Sequence, residues 1–214
     1  MSGVSGGSAA AGRADVEAAI GAQGGVPVLR AATAEGAHAA STRLIEAGLS
    51  VIELTATTLG WAELLRTLLN DHPDAVIGMG TITTGEDAEI ACGAGARFLV
   101  SPFPVDNARR AAQEADTLFI GGGFSPGEVA AAAGFGLCKL FPAHVGGVAY
   151  LKTLRAILPK ARIMPTGGIG LTSVGDWLRA GAFAVGVGSD LSKAPDLDAA
   201  AAELLRQVQL GRPR

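Results

Sequence analysis

Eight short apolar segments, spaced at nearly regular intervals, constrain the fold of this chain more than any other feature. Their first residues are Val26, Val51, Ala75, Phe98, Leu118, Leu137, Arg162 and Phe183. Each segment is rich in apolar residues and is bounded by Gly, Pro or polar residues, which is typical of a buried strand. The segments begin roughly 20 to 25 residues apart, enough for one strand, one crossover helix and two loops. The pattern therefore predicts eight repeated strand-helix units.

The stretches between these segments carry the periodicity of amphipathic helices. Several end in Gly or Ala-Gly, a C-cap signal, at Ala47-Gly48, Gly93, Gly134 and Ala180-Gly181. Strands that are almost entirely apolar must be covered on both faces, so they belong to a parallel sheet wrapped by helices. Eight such units over 214 residues predict an α/β protein with the (β/α)8 TIM barrel architecture.

The alternative architecture is an open, doubly wound sheet. A dinucleotide-binding sheet of that kind has a G-x-G-x-x-G turn after its first strand, and the sequence contains none there. Its contiguous glycines, Gly121 to Gly123, follow the fifth strand, which favours the barrel. We expect residues 1–12 to be a mobile tail and residues 13–214 a single barrel domain. A short extra N-terminal helix over 13–22 would close the barrel bottom, and 196–210 would form the last helix.

Charge and composition exclude several classes of function. Seventeen Lys and Arg against 20 Asp and Glu leave a formal net charge of -3, so no basic excess is present to hold nucleic acid. Every apolar run is shorter than the roughly 18 to 20 residues that span a membrane. Cys92 and Cys138 show neither metal-ligand spacing nor a disulfide framework, and the histidines show no ligand spacing. We therefore expect a cytoplasmic protein without metal or cofactor.

Lys139 is a charged residue where the pattern predicts only apolar ones, inside the sixth strand segment Leu137 to Pro142. Burying an unpaired ammonium costs several kcal/mol, so such a site favours the neutral amine. A neutral buried amine is a nucleophile toward carbonyl groups. The alternative is a structural salt bridge to a carboxylate on another strand.

Glu53 repeats this anomaly in the second strand, where it is the only acid within any of the eight segments. Active sites of TIM barrels lie at the carboxyl ends of the strands, so we expect its side chain in the barrel mouth. Beside Lys139 it could transfer protons through water when an amine adds to a ketone. The alternative is again a structural Glu-Lys pair.

Several other residues at strand ends suit the binding of anions. Arg30 ends the first strand, where a guanidinium favours a ligand carboxylate or phosphate, and Thr81 ends the third beside small residues. The loops after strands seven and eight, which form the usual phosphate site of this barrel, contain Thr166, Gly167, Gly168 and Ser189. We expect the neighbouring Asp190 to turn outward and cap the short helix that begins there.

Five motifs in the same order resemble those of the 2-keto-3-deoxy-6-phosphogluconate aldolase family, which includes the 6-phosphogalactonate and 4-hydroxy-2-oxoglutarate aldolases. The resemblance runs from about Val26 to Leu191. The motifs are V-I-E-L-T at Val51, G-M-G-T at Gly78, F-L-V-S-P at Phe98, K-L-F-P at Lys139 and P-T-G-G-I at Pro165, followed by Gly188-Ser189.

The resemblance implies a role for each motif residue. Lys139 would form a Schiff base, Glu53 would relay protons, Phe141 would pack over the lysine and Pro102 would line the pocket. Phosphate would be bound by the loop with Thr166, Gly167 and Gly168, and finally by Ser189. It also implies a homotrimer and a class I aldolase that cleaves a 2-keto-3-deoxy-6-phospho sugar acid to pyruvate and glyceraldehyde 3-phosphate.

One position departs from the gluconate branch of the family. That branch has Arg shortly after the Glu, where this chain has Thr57. Arg30 resembles the L-R of the galactonate branch, so we expect it to take over anion binding, and the choice between gluconate and galactonate substrates stays open.

Other functions stay open beside this one. A 4-hydroxy-2-oxoglutarate aldolase is one alternative. A phosphosugar isomerase or epimerase would need a second acid-base group at a strand end, and a non-catalytic sugar-phosphate binder would need no buried amine.

Overall fold

The computed structural model describes residues 12 to 212, and within them eight parallel strands form a closed barrel. Each strand pairs with the next along the chain from β1 to β7, and β1 also pairs with β8. A parallel bridge between Thr166 and Gly186 links β7 to β8 and closes the ring. The strands are β1 Gly25–Leu29, β2 Val51–Thr55, β3 Val76–Gly80, β4 Phe98–Val100, β5 Leu118–Gly123, β6 Cys138–Leu140, β7 Ile163–Pro165 and β8 Val185–Val187.

Helices follow the strands and cover the outside of the barrel, so the predicted (β/α)8 fold is confirmed. The helices are α1 Arg13–Gln23, α2 Ala34–Glu46, α3 Trp61–Asp71, α4 Gly85–Gly93, α5 Asp106–Glu114, α6 Pro126–Ala133, α7 Ala143–Ile157, α8 Val174–Arg179, α9 Ser189–Ser192 and α10 Leu197–Gly211. A 3-10 turn, Leu171–Ser173, precedes α8. No helix of the described residues is long and apolar enough to cross a membrane.

The N-terminal helix closes the bottom of the barrel, as the sequence predicts. Val16 and Ile20 of α1 are buried against inward-facing strand residues that include Phe98, Ile120 and Met164. The side chain of Gln23 hydrogen-bonds the backbone of Val51 in both directions, at 2.7 and 2.8 Å, and so joins α1 to the start of β2. The segment 1–12, predicted to be a mobile tail, lies outside the described residues except for Gly12.

Alternation along the strands separates two apolar cores. The outward residues of the strands, such as Ile52, Leu54, Met79 and Leu99, pack against the helices. The inward residues near the strand starts fill the barrel with the cluster that contains Phe98. Each fully buried aliphatic or aromatic side chain contributes on the order of 1.5 to 3 kcal/mol. These layers hold the strand ends at fixed positions, and the polar inward residues lie above them.

Candidate active site

The side chains of Lys139 and Glu53 meet inside the barrel mouth. Lys139 is the middle residue of β6 and Glu53 is the middle residue of β2, two strands that face each other across the eight-stranded barrel. Lys139 Nζ lies 3.6 Å from Glu53 Oε1, and the two side chains are only 6% and 0% exposed. The amine of Lys139 and the carboxyl group of Glu53 are therefore held together away from bulk water.

Burial decides the electrostatics of Glu53. Loss of hydration raises the pKa of this carboxyl group above its ordinary value of 4.5, and the positive charges of Lys139 and Arg30 only partly oppose the shift. Neither oxygen of the carboxyl group has a hydrogen-bond partner among the described residues. Such a group binds and releases protons closer to neutrality than an exposed glutamate, which suits general acid-base chemistry.

Phe141 lies over the amine of Lys139, and Pro102 lies against the neighbouring strand. The ring of Phe141 has its centroid 5.3 Å from Nζ. Pro102 lies against Gly122, which is the register partner of Lys139 on β5. A Cβ atom at Gly122 would come within 2.5 Å of the Pro102 carbonyl carbon, so glycine is needed for this close approach.

A buried serine holds the loop that carries Pro102. The hydroxyl of Ser101 donates a hydrogen bond to the carbonyl of Phe103, 2.8 Å away, and accepts one from the backbone N–H of Gly122 at 3.2 Å. Sequence reasoning did not single out Ser101. The sequence does contain an indication of this role, because Ser101 is a polar residue immediately after an apolar strand.

Arg30 and two threonines lie near the mouth. Arg30 follows β1 and is exposed. Its positive charge acts on Glu53 and partly opposes the rise in the pKa of that carboxyl group. Thr57, which occupies the position of the family arginine, shares a 3.0 Å hydrogen bond with the hydroxyl of Thr55, which also donates to the Leu29 carbonyl. Thr57 thus extends the end of β2 with a neutral hydroxyl group in place of a cation.

Thr81 has an unusual backbone conformation at the end of β3. Its φ angle is 59°, in the left-handed region that a β-branched residue rarely adopts. Such a conformation costs on the order of 1 to 3 kcal/mol and tends to occur at functional sites. Thr81 therefore remains a candidate for substrate binding.

The loops after β7 and β8 lie side by side. Thr166 is 4% exposed, and its hydroxyl has no hydrogen-bond partner among the described residues. Gly167 and Gly168 have φ angles of 96° and 68°, and Cβ atoms there would approach the rings of Phe141 and His144 to 2.8 and 2.6 Å. The exposed Ser189 begins α9.

The predicted hydrogen-bond partner of Asp190 is wrong. Its carboxylate does not cap α9, whose N-cap Gly188 has no side-chain hydrogen bond. Asp190 Oδ2 instead accepts a 3.1 Å hydrogen bond from the backbone N–H of Leu171, in the 3-10 turn after β7. The interaction joins the loops after β7 and β8, which are distant in sequence but adjacent in the barrel.

His144 lies beside this region, although the sequence analysis assigned it no role. It is exposed at the start of α7. Its Nδ1 lies 3.3 Å from the carbonyl oxygen of Gly167. The signal was its place three residues after Phe141. No cluster of three or more His, Cys, Asp or Glu suited to a metal ion occurs between residues 12 and 212.

A (β/α)8 barrel with a buried lysine beside a buried carboxyl group at its mouth suits Schiff-base chemistry, which is the chemistry of the class I aldolases, enzymes of the lyase class. Residues 16–208 match the family model for KDPG and KHG aldolases, described as "Aldolase: KDPG and KHG aldolase". The chain therefore belongs to the KDPG and KHG aldolase family, and the predicted family and enzyme class are confirmed.

Individual relatives agree with this assignment. A 2-dehydro-3-deoxy-phosphogluconate aldolase of Dickeya dadantii is 34% identical over 156 residues, 72% of this chain and 73% of the relative. A 2-dehydro-3-deoxy-6-phosphogalactonate aldolase of Escherichia coli is 28% identical over 173 residues, 79% of this chain and 84% of the relative. The crystal structure of KDPG aldolase from Legionella pneumophila, with pyruvate captured as a covalent carbinolamine intermediate, has 29% identity and a TM-score of 0.77 over 91% of this chain and 96% of that one.

Proposed function

We propose that this class I aldolase cleaves a 2-keto-3-deoxy-6-phospho sugar acid to pyruvate and glyceraldehyde 3-phosphate, with Lys139 as the nucleophile and Glu53 as the acid-base group. The observation that carries the proposal is the 3.6 Å separation of Lys139 Nζ and Glu53 Oε1 in a buried position. The names of the family and of its gluconate and galactonate relatives support the substrate class.

The first half of the reaction builds a covalent intermediate. The neutral amine of Lys139 attacks the C2 ketone of the substrate, and a C–N bond forms as the carbonyl oxygen takes a proton. Glu53 then donates a proton to the resulting hydroxyl group, which leaves as water and yields a protonated imine. The raised pKa of Glu53 supports this step, because its carboxyl group holds a proton more readily than an exposed glutamate does and so has one to deliver.

The second half breaks the carbon chain. A base, assigned to Glu53, removes the proton of the C4 hydroxyl group, and the C3–C4 bond breaks as the aldehyde forms. The bonding electrons move into the imine, which becomes an enamine. Protonation at C3 and hydrolysis of the imine then release pyruvate and return the free amine of Lys139. The imine nitrogen accepts the electron pair at each turnover.

Phe141 and Pro102 would form the apolar wall around the reacting nitrogen. The ring of Phe141 over Lys139 and the position of Pro102 against Gly122 support this role. Together they would limit the contact of water with Lys139, whose side chain is 6% exposed.

The two anionic ends of the substrate would be bound on different sides of the mouth. We assign the carboxylate end to Arg30 and Thr81, and the phosphate end to Thr166, Gly167, Gly168 and Ser189. The unpartnered hydroxyl of Thr166 supports the second assignment, because a buried polar atom without a partner costs free energy until a ligand satisfies it. The neighbouring glycines give a ligand access to the backbone N–H groups.

Two kinds of alternative differ in what they need from the site. A 4-hydroxy-2-oxoglutarate aldolase would use the same Lys139 and Glu53 but would not need the loops assigned to phosphate. Separately, because Thr57 replaces the arginine of the gluconate branch, the choice between gluconate and galactonate substrates stays open. Neither a phosphosugar isomerase or epimerase nor a non-catalytic binder would need the buried amine of Lys139. The proximity of Lys139 to Glu53 favours the aldolase over these three.

Borohydride trapping tests the proposal. The purified protein is incubated with pyruvate, reduced with sodium borohydride and analysed by peptide mass measurement. We expect a stable adduct of one reduced pyruvate on the peptide that contains Lys139. An unmodified Lys139 peptide under these conditions would refute Schiff-base chemistry at this residue.

We further propose that the enzyme is a homotrimer located in the cytoplasm. Several large apolar side chains are exposed on the barrel, among them Leu59 at 86%, Val145 at 63% and Phe135 at 60%, and such surfaces often contact a partner. Cys92 and Cys138 are both unpaired, which fits a reducing compartment.

A further inference from the structure

The carboxyl group of Glu53 has a fixed position without the hydrogen bonds that usually hold such a group. Neither Oε1 nor Oε2 has a hydrogen-bond partner among the described residues, and Lys139 Nζ at 3.6 Å is beyond hydrogen-bond distance. A single ion pair without a hydrogen bond does not fix the orientation of a buried carboxyl group, so the shape of its surroundings does. The residues that shape this space therefore decide where the carboxyl group lies.

Gly80, the last residue of β3, provides that space. It is the register partner of Thr55, two residues after Glu53 on the neighbouring β2. A Cβ atom at position 80 would overlap Glu53 Oε1 and would lie 2.5 Å from Cδ and 2.8 Å from Cγ. Real Cβ atoms do not approach other heavy atoms that closely, so the carboxyl group occupies the volume that a side chain at position 80 would fill.

The second glycine of β3 has a different neighbour. Gly78 faces the barrel interior like Gly80, but a Cβ atom there would come within 2.5 Å of the ring of Phe98. The two glycines on one face of the strand thus make room for two unrelated side chains. Gly78 leaves room for the Phe98 ring in the apolar core of the barrel, and Gly80 leaves room for the carboxyl group of Glu53 beside Lys139.

We propose that Gly80 is a positioning residue for the aldol reaction, because its missing side chain creates the pocket that holds the carboxyl group of Glu53 against the amine of Lys139. This inference rests on the proposed acid-base role of Glu53. Steric positioning also suits the chemistry, since hydrogen-bond donors to the carboxylate would stabilise the anion and weaken its ability to hold a proton.

The test begins with Gly80→Ala. We expect kcat for aldol cleavage to fall at least tenfold while KM changes less than threefold, because the carboxyl group moves but the groups assigned to anion binding stay. Two control variants are matched to it. Gly78→Ala adds the same methyl group to the same face of the same strand, so it should lower Tm and leave kcat within about threefold. Gly93→Ala adds it to the exposed end of α4, where no atom of the described residues lies within 4 Å. It should leave kcat unchanged and should not lower Tm, because Ala is more favourable than Gly in a helix.

Double variants separate positioning from general damage to the barrel. In a Glu53→Gln background the acid-base group is already lost, so Gly80→Ala should reduce the residual turnover less than twofold further. In a Glu53→Ala background the clash is removed, so the loss of Tm caused by Gly80→Ala should disappear. The second comparison uses Tm alone and remains informative if Gly80→Ala by itself does not fold.

Three results would overturn the proposal. They are an unchanged kcat in Gly80→Ala, turnover losses that multiply in the Gly80→Ala and Glu53→Gln double variant, and a Tm loss that persists with Glu53→Ala. If Glu53→Gln alone keeps full turnover, the assigned role of Glu53 fails first, and that outcome is distinct from the failure of the role of Gly80.

Discussion

Lys139 on β6 and Glu53 on β2 approach each other across the full width of the barrel, with Nζ 3.6 Å from Oε1. The two residues belong to strands that share no hydrogen bond, so neither local structure nor strand pairing brings them together. Closure of the sheet does so. A site of this geometry depends on the whole ring of strands and is sensitive to small changes in either side chain.

The variant Lys139→Arg should abolish aldol cleavage. A guanidinium stays protonated and cannot add to a ketone, while the positive charge beside Glu53 is retained. Turnover of the sugar acid and the mass of the borohydride-reduced protein check this, with Lys152→Arg on the exposed face of α7 as the control. Measurable turnover by Lys139→Arg would remove Lys139 from the mechanism.

Replacement of Glu53 by Gln should lower kcat by a factor of about 10² or more, since general acid-base catalysis commonly contributes that much. The amide keeps the shape of the side chain but cannot deliver a proton. Slow imine formation with pyruvate should persist and be visible by borohydride trapping after long incubation. Wild-type turnover in this variant would make Glu53 a structural residue.

The same substitution should affect stability in a pH-dependent way. Burial raises the pKa of Glu53 in the folded protein above 4.5, so the folded state holds this proton more tightly than the unfolded state. The stabilisation that results is present below pH 4.5 and is lost as the pH rises through the folded-state pKa. The free energy of unfolding of the wild type should therefore fall relative to that of Glu53→Gln as the pH increases. Urea denaturation of both proteins at several pH values measures this, and a difference that moves in the opposite direction would contradict it.

Arg30→Ala should weaken the use of the substrate by about 1.5 to 3 kcal/mol, the range for a hydrogen bond to a charged group. Arg66→Ala, which removes an exposed arginine paired with Glu63 on α3, is the control. The values of kcat/KM are compared for the phosphogluconate-derived, phosphogalactonate-derived and 4-hydroxy-2-oxoglutarate substrates. A preference for the unphosphorylated diacid, together with a silent Arg30→Ala, would place the enzyme in the oxoglutarate branch and disprove the phosphate site.

The oligomeric state is checked by light scattering coupled to size-exclusion chromatography. We expect three times the mass of one chain, 21.4 kDa each, because the proposed homotrimer would cover exposed apolar side chains. Leu59→Asp changes the most exposed of these side chains and should leave the barrel folded. A smaller mass for this variant would show that the surface around Leu59 contributes to the subunit interface. A monomer at working concentration would contradict the homotrimer.

Much of the fold was determined by the sequence alone. The eight segments from Val26 to Phe183 predicted the strands, because short apolar runs between turn residues have few alternatives to a buried parallel strand. The helix over 13–22 and the last helix were likewise predicted from local periodicity. Lys139 and Glu53 stood out for the same reason, since a charge within an apolar strand is costly wherever the strand lies.

The tertiary structure decided what those residues contact. Local patterns carry no information on distances between strands. The sequence therefore could not show that the carboxyl group of Glu53 lacks a hydrogen bond to any residue from 12 to 212, or that it lies over Gly80. The partner of Asp190 was predicted wrongly for this reason: the N–H of Leu171 that donates to its carboxylate belongs to the neighbouring loop and not to its own helix. Periodicity and burial cost are properties of a segment, whereas the separation of Lys139 and Glu53 exists only once the barrel closes.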